Sequence, residues 1–332
     1  MLDSIRTIVA GVAAPASDDP TLVAAATLAR WTGAALHLVE AFTIPPLFSS
    51  PELGYTSTEW GLHHAEHRRA ELAAVARRVP GAESATCHAL AGPPAHAILE
   101  TAEREGAGLV VVGAASPDRL GGSFLGTTAQ RVLRGAGVPV LVVRAPVHRP
   151  LRRVLTTTDL GEPSAAVHEA GLDAAAAIFG QPVSVRSLLA LSVPMGASLL
   201  QPLLLEQTAL EQLEAFLRAR RRRRHPVEPV VRLGAPAEEI VAEAAAWPAD
   251  LLIVGTHARG WAARLVLGSV AEAALRDAPC NVLAVPPRAV ALTRSPAEGA
   301  AEARRPAPAP EPVLHVDRHH PLSTVTEQTA PA

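Results

Sequence analysis

Residues 251–271, LLIVGTHARGWAARLVLGSVA, decide the fold of this chain. The run 251–255 is short, apolar and not alternating, which is typical of a parallel strand buried on both faces. A glycine-containing loop follows it, and Gly268 with Ser269 marks the start of a helix, with Ser269 predicted as the N-cap. A buried strand that leads through a glycine loop into a helix indicates an α/β fold.

The same pattern occurs earlier in the chain, as LVVVGAASPDRLGGSFLGTTA at residues 109–129. The similarity extends outward, because GPPA at 92–95 recurs as GAPA at 234–237. Such internal similarity is the signature of tandem copies of one fold. We therefore predict two repeats, residues 1–147 and 148–287, in a chain whose 332 residues suit two domains of ordinary size.

The composition favours a doubly wound sheet in each repeat. Apolar residues make up 48% of the chain but aromatic residues only 3%, so the core must consist of Ala, Val and Leu, as in helices packed on a parallel sheet. Such sheets bind ligands beyond the carboxyl ends of the strands, where the strand order reverses. In the second repeat the predicted strands are 153–158, 183–191, 228–233, 251–255 and 280–285.

Charge and residue usage exclude several classes of function. With 30 basic and 32 acidic side chains, nothing indicates a nucleic acid or an anionic membrane as partner. Every basic residue is arginine, which excludes a Schiff-base, Walker or kinase lysine. Cys87 and Cys280 lie far apart without a CxxC motif, so neither a disulfide framework nor a thiolate metal site is indicated. With no targeting segment or membrane-length apolar run, we expect a soluble cytoplasmic protein.

Residues 288–332 differ from the rest of the chain. They are rich in proline and alanine and show no apolar period. Such a segment cannot bury enough surface to offset the entropy of ordering it, so we predict a disordered tail.

The loop between Gly255 and Gly268 has properties that suit a phosphate. Glycine allows close backbone approach and positive φ, and the unpaired amides and the dipole at 268–271 would face an anion. The alternative is a glycine turn followed by a capped helix with no ligand, which is common in proteins. These residues alone leave both interpretations open.

The sequence GTH at 255–257, followed by LGSVAE at 267–272, resembles the signature of universal stress proteins. Nucleotide-binding members of that family carry G-x2-G-x9-G-[ST]. The resemblance covers residues 1 to about 287 and implies a tandem member. Each repeat would then have a Rossmann-like fold with a five-stranded parallel sheet, similar to adenine nucleotide alpha hydrolases. The resemblance also implies dimerisation through the last strand, frequent ATP binding and a stress-response role that is mostly not catalytic.

The resemblance places ATP, together with Mg²⁺, in the second repeat. The residues that it carries over are Gly255, Gly268 and Ser269 at the ribose and phosphates, Asp159 at the nucleoside and, more loosely, Leu188 beside adenine. Ala258 stands where the family has its second glycine. If that position needs a positive φ, alanine costs roughly 1–2 kcal/mol and weakens binding.

The first repeat departs further from the family pattern. Gly113 and Gly126 are kept, but Ser116 and Ala13 stand where the second glycine and the aspartate belong, and Asp118 would bring negative charge toward phosphates. We expect this site to be degenerate. We also expect the repeats to associate as an intramolecular pseudo-dimer, with a homodimer and an unidentified protein partner as further possibilities.

Three other motifs have plainer interpretations. His63, His64 and His67 fall on a predicted helix, where a solvated surface is favoured over a weak metal or pH-sensing site. The basic run at 218–224 is interpreted as the end of a solvated helix rather than a nucleic-acid site. The sequence GGSFL at 121–125 misses the final glycine of a nucleophile elbow.

These observations favour a non-catalytic module that responds to ATP. A nucleotide-free interaction or assembly module of the same fold is the alternative, because of Ala258, Ser116 and Ala13. Slow ATP hydrolysis or adenylyl chemistry has less support, since the chain has no lysine and no evident general base. Arg259 or Arg264 could nevertheless hold phosphates.

Overall fold

Each repeat alternates strands with helices and both begins and ends with a strand. The computed structural model describes residues 5–13, 16–44, 57–114, 125–145, 147, 151–180, 184–192, 201–219, 226–256 and 267–286. The first repeat comprises β1 (Thr7–Gly11), α1 (Pro20–Thr32), β2 (Ala35–Phe42), α2 (Ser57–Ala76), β3 (Thr86–Ala91), α3 (Pro94–Arg104), β4 (Leu109–Gly113), α4 (Thr127–Gly135) and β5 (Val140–Val143). The second comprises β6 (Arg153–Thr157), α5 (Glu162–Phe179), β7 (Ser184–Leu191), α6 (Gln201–Ala219), β8 (Val227–Leu233), α7 (Pro236–Ala246), β9 (Leu251–Gly255), α8 (Ser269–Asp277) and β10 (Asn281–Val285).

The strands of both repeats form one ten-stranded sheet. Its order is β3-β2-β1-β4-β5-β10-β9-β6-β7-β8. All pairs within a repeat are parallel, and the two repeats meet where β5 pairs with β10 in the antiparallel sense. The predicted α/β class is confirmed, and the five strands predicted for the second repeat begin and end within one residue of the observed bounds.

Helices cover both faces of the sheet, which explains why the strands are apolar without alternation. In β10, Leu283 and Val285 join the hydrophobic cluster beneath α1 and α5, whereas Val282 and Ala284 join the cluster beneath α3, α4, α7 and α8. A strand buried on both faces needs an apolar side chain at every position. The near absence of aromatic residues is consistent with this arrangement, because alanine-rich helices approach a sheet closely.

Polar side chains at the junction of the repeats complement the β5–β10 pairing. The side chain of Asn281 accepts from the amides of Arg144 (2.8 Å) and Ala145 (3.2 Å) and donates to the carbonyl of Ala145. The Arg144 guanidinium donates to the carbonyls of Leu275 and Arg276, in the last turn of α8. These carbonyls have no partner within the helix, so the first repeat caps a helix of the second.

The structure also places two of the motifs noted in the sequence. The predicted histidine helix is α2, and His67 lies 3.2 Å from Glu71 on its surface. The helix that leads into the basic run is α6, which ends at Ala219; residues 220–225 lie outside the described part of the chain, as do 115–124 and the predicted tail. Among the described helices, none has the length and apolarity needed to cross a membrane.

We expect Arg144→Ala to lower the free energy of unfolding by about 1.5–3 kcal/mol, because it removes charge-assisted hydrogen bonds from a partly buried helix end. Arg276→Ala is the matched control, since its exposed side chain binds the neighbouring Asp277 and its carbonyl remains in place. Its effect should stay within about 0.5 kcal/mol. Urea unfolding monitored by circular dichroism measures both values. Equal effects of the two substitutions would contradict the capping role.

Candidate functional site

The strand order of the second repeat reverses between β6 and β9. From β6 the chain proceeds outward to β7 and β8, whereas β9 and β10 lie on the other side. The two strands pair in parallel, with Val154 opposite Leu251 and Thr156 opposite Ile253. The loops that leave their carboxyl ends therefore lie side by side, at the position where doubly wound sheets bind ligands.

The loop after β6 holds Asp159 in a defined turn. The amide of Asp159 donates to Ser164 Oγ (3.1 Å), and Asp159 Oδ1 accepts from the amide of Gly161 (3.0 Å). Between them, Leu160 has a φ of 63°, a left-handed conformation that is uncommon for a leucine. The turn leaves Asp159 exposed at the end of β6, with its amide bonded to Ser164 and its side chain bonded to Gly161.

Helix α5 approaches β9 very closely, and glycines make this possible. A Cβ added at Gly171 would lie 2.5 Å from Ile253 Cγ2, and one added at Gly255 would lie 3.1 Å from Val167 Cγ1. Gly255 thus has a packing role in addition to the ligand role predicted for it. The Asp159 turn leads directly into α5, so this close packing of α5 on β9 brings the turn to the end of β9.

The start of α8 differs from the prediction in two respects. The N-cap is Gly268, whose extended backbone (φ −62°, ψ 142°) accepts from the amide of Glu272, and Ser269 is the exposed first residue of the helix. The predicted N-cap role of Ser269 is therefore wrong. The amide of Gly268 is also not available to an anion, because it donates to the carbonyl of Thr256 (3.1 Å). The amides of the first helical turn remain, since α-helix geometry gives them no intrahelical acceptor.

The other predicted site residues are placed as follows. Leu188 lies on β7 opposite Thr157, its side chain is fully buried, and its carbonyl accepts from the amide of Thr158 (3.0 Å). The Leu188 side chain therefore packs in the hydrophobic core of the sheet. Ala258 belongs to residues 257–266, which lie outside the described part of the chain.

The first repeat reproduces the backbone of this site without its carboxylate. The amide of Gly126 donates to the carbonyl of Ala114 (2.6 Å), and the amide of Val12 donates to the carbonyl of Val39. The equivalent residues of the second repeat form the same two hydrogen bonds. This correspondence places Ala13 at the position of Asp159. The exposed Ala13 offers no side-chain acceptor to a ligand.

A serine and a histidine also meet in the second repeat, inside the hydrophobic core. Ser187 Oγ lies 3.2 Å from His168 Nε2, and His168 packs edge-on against Phe216. Both polar side chains are buried, with relative exposures of 0% and 3%. No substrate reaches them in this conformation, so the contact is a hydrogen bond of the core.

Neither cysteine has the environment of a reactive thiol. Burial raises the pKa of Cys280 to about 12 and also raises the pKa of Cys87. Thiolates are the nucleophilic and metal-binding form, so both thiols stay protonated at neutral pH.

The structure brings together one group that the sequence analysis missed. His37 on β2 and His88 on β3 meet beside Glu105, which follows α3. The three residues are far apart in the sequence, and only the register of β2 against β3 shows that the two histidines share a face. The alternation of side chains along each strand shows which of its residues share a face, but it does not show which residues of another strand lie beside them.

Comparison with known proteins gives a consistent result for both repeats. The universal stress protein family model matches residues 4–144 and again residues 150–286. A Thermus aquaticus universal stress protein in the QAH/OAS sulfhydrylase 3′ region is 35% identical over 112 residues, which are 34% of this chain and 79% of that protein. A Methanocaldococcus jannaschii universal stress protein is 44% identical over 57 residues, which are 17% of this chain and 34% of that protein.

Solved structures show the same fold over nearly the whole length. A putative universal stress protein from Pseudomonas aeruginosa UCBPP-PA14 has a TM-score of 0.60 at 19% identity, covering 86% of this chain and 95% of its own. One from Archaeoglobus fulgidus has a TM-score of 0.56 at 15% identity, covering 85% and 98%. The chain belongs to the universal stress protein family, and it is a tandem member with two copies of the family's domain.

We expect Ser164→Ala to speed hydrogen exchange at the Asp159 amide and to lower the free energy of unfolding by about 1 kcal/mol, because the turn loses its acceptor. Ser269→Ala is the matched control and should cost less than about 0.5 kcal/mol, since Ser269 is not the capping residue. Exchange monitored by NMR and urea unfolding measure the two effects. A loss of about 1 kcal/mol in Ser269→Ala would restore the N-cap interpretation.

Proposed function

We propose that this protein is a non-catalytic stress-response module that binds one ATP, with Mg²⁺, in its second repeat and changes its affinity for a protein partner accordingly. The observation that carries the proposal is the position of Asp159. It stands at the carboxyl end of β6, directly beside the end of β9, and the hydrogen bond from Gly268 to Thr256 holds the start of α8 at the same place.

The side chain of Asp159 suits a nucleoside. It is exposed, and it carries a carboxylate, which can accept hydrogen bonds at about four positions. Ribose hydroxyls are donors, and a carboxylate oxygen can accept hydrogen bonds from them. The turn through Ser164 fixes the backbone before the ligand arrives, which lowers the ordering cost of binding.

The start of α8 suits the phosphates. The amides of its first turn and the helix dipole favour an anion, although Glu272 in the same turn opposes a bare triphosphate. Mg²⁺ bound to the phosphates would reduce this repulsion, and Mg²⁺ is usually held by phosphate oxygens and water. We therefore infer that the ligand is the magnesium complex rather than the free nucleotide.

The first repeat supports a stoichiometry of one nucleotide per chain. Its loops have the same backbone anchors, but Ala13 replaces the aspartate. A nucleoside in the first repeat would therefore lack the carboxylate that accepts from its hydroxyls in the second. The proposal therefore places the nucleotide in the second repeat alone.

The side chains near this site do not favour hydrolysis. The chain has no lysine to act on the phosphates, and the Ser187–His168 pair is buried in the core. Phosphoryl transfer depends on positioned charges around the transferred group. Turnover of ATP by the natural chain that is lost in Asp159→Ala would favour slow hydrolysis instead.

The second candidate is a nucleotide-free interaction module. It is favoured by Leu203 and Leu204 on α6, whose relative exposures are 66% and 64%. Exposed neighbouring leucines are typical of surfaces that other proteins cover. Ala258 in place of the family's glycine points in the same direction.

Calorimetric titration of Mg-ATP into the full chain separates the two candidates. We expect near one equivalent of binding, at least tenfold weaker binding in Asp159→Ala, and about tenfold tighter binding in Ala258→Gly if Ala258 has a positive φ. Asp159→Asn keeps an acceptor for the Gly161 amide, so it shows whether lost binding reflects the carboxylate or a disturbed turn.

Asp18→Ala, which changes an exposed carboxylate near the equivalent loop of the first repeat, is the matched control and should leave the affinity unchanged. No heat and no thermal shift at millimolar Mg-ATP, in both the natural chain and Ala258→Gly, would overturn the proposal and favour the interaction module. Binding of two equivalents of Mg-ATP would contradict the assignment of the nucleotide to the second repeat alone.

A further inference from the structure

Three side chains with metal-binding atoms meet on the outer part of the first repeat. His37 Nδ1 lies 3.1 Å from His88 Nε2 and 4.0 Å from Glu105 Oε2. His37 and Glu105 are partly buried, with side-chain exposures of 13% and 28%. Glu105 follows the last residue of α3, so the group ties β2, β3 and α3 together at one point.

We propose that His37, His88 and Glu105 form a zinc-binding site, with a fourth coordination position open to water. The ligands would be His37 Nδ1, His88 Nε2 and Glu105 Oε2. Two imidazoles and one carboxylate with an open position are a ligand set that zinc accepts in proteins. Neither the nucleotide nor the second repeat takes part in this site.

The distances allow a tetrahedral ion after small side-chain movements. Zinc lies about 2.0–2.1 Å from histidine nitrogens and 2.0–2.2 Å from carboxylate oxygens, so tetrahedral ligand atoms are about 3.3 Å apart. The two nitrogens, at 3.1 Å, are already close to this separation, but each ring has to turn so that its lone pair points at the ion and not at the other nitrogen. The three ligand atoms lie within 4.8 Å of one another, and rotation of the Glu105 side chain can bring its oxygen closer to both nitrogens.

The Arg104 guanidinium orients the carboxylate of the proposed site. The Nε of Arg104 binds Glu105 Oε1 at 2.9 Å, and this leaves Oε2 directed toward His37.

In the protein as described, a hydrogen bond joins the two nitrogens that the ion would bind. The imidazole planes differ by 10° and their centroids are 5.3 Å apart, so the two nitrogens face each other. Arg104 Nη2 lies 3.5 Å from His88 Nδ1 and can only donate, so a hydrogen bond between them requires the proton of a neutral His88 to be on Nε2. Zinc at Nε2 requires this proton to move to Nδ1, toward Arg104, so Arg104 opposes the ion.

The second repeat has no such group at the equivalent place. The strand registers align His37 with Arg186 and His88 with Val230, and the ends of α3 and α7 align Glu105 with Trp247. There the Arg186 guanidinium lies over the Trp247 ring, 4.5 Å from its centroid. The ligand atoms are therefore particular to the first repeat and are not a requirement of the fold.

Equilibrium dialysis of the untagged full chain against Zn²⁺, followed by metal analysis, tests the proposal. We expect one equivalent of zinc and at least tenfold weaker binding in His37→Ala, His88→Ala and Glu105→Gln. Arg104→Gln should bind zinc several-fold more tightly, because it removes a like charge and gives His88 Nδ1–H an acceptor. This gain cannot result from misfolding. Substitution by Co²⁺ should give the visible absorption of a four-coordinate ion.

Two histidine variants act as matched controls. His96→Ala removes an exposed histidine paired with Glu100, and His67→Ala breaks the possible His63–His67 chelate on α2. Both should leave zinc binding unchanged. The proposal is overturned if the natural chain binds no zinc, if binding survives in both His37→Ala and His88→Ala, or if His67→Ala abolishes it.

Discussion

The antiparallel pairing of β5 with β10 is the contact on which the rest of the architecture depends. Val142 lies opposite Val282 and Leu141 opposite Leu283, so two five-stranded sheets become one and their inner edges are covered. Uncovered edge strands are prone to pair with other chains. Because the pairing is antiparallel, the carboxyl ends of the two sets of strands point in opposite directions. The candidate site of the second repeat and its degenerate counterpart therefore open at opposite ends of the sheet.

Much of this fold follows from short apolar runs. A run such as Leu251–Gly255 identifies a strand buried on both faces, and its loop predicts where a ligand would bind. The contacts of Asn281 and Arg144 do not follow in the same way. Each joins residues more than a hundred positions apart, and nothing in the local sequence distinguishes them from exposed polar residues.

The error at Ser269 has a similar origin. Serine is a preferred N-cap, but the cap is decided by which carbonyl accepts the first helical hydrogen bond, and here that residue is Gly268. The histidine pair was missed because it depends on the register of β2 against β3. A slip of one residue would move His88 to the other face of the sheet.

The two repeats share one fold but differ at several corresponding positions. Asp159 corresponds to Ala13, and the stacked Arg186 and Trp247 correspond to His37 and Glu105. Each repeat also buries one glutamate against arginine, Glu40 with Arg68 and Glu243 with Arg186. The planar guanidinium can bind a carboxylate through two donors while its apolar stem stays packed, which suits a chain that uses only arginine as its cation.

Native-state hydrogen exchange at the junction tests the unity of the sheet most directly. We expect the amides of β5 and β10 to exchange only through global unfolding, with the same opening free energy as the amides of β4 and β9. The outer strands β3 and β8 should open at lower free energy. A junction that opens before β4 and β9 do would contradict a single sheet and show that the two repeats separate as independent units.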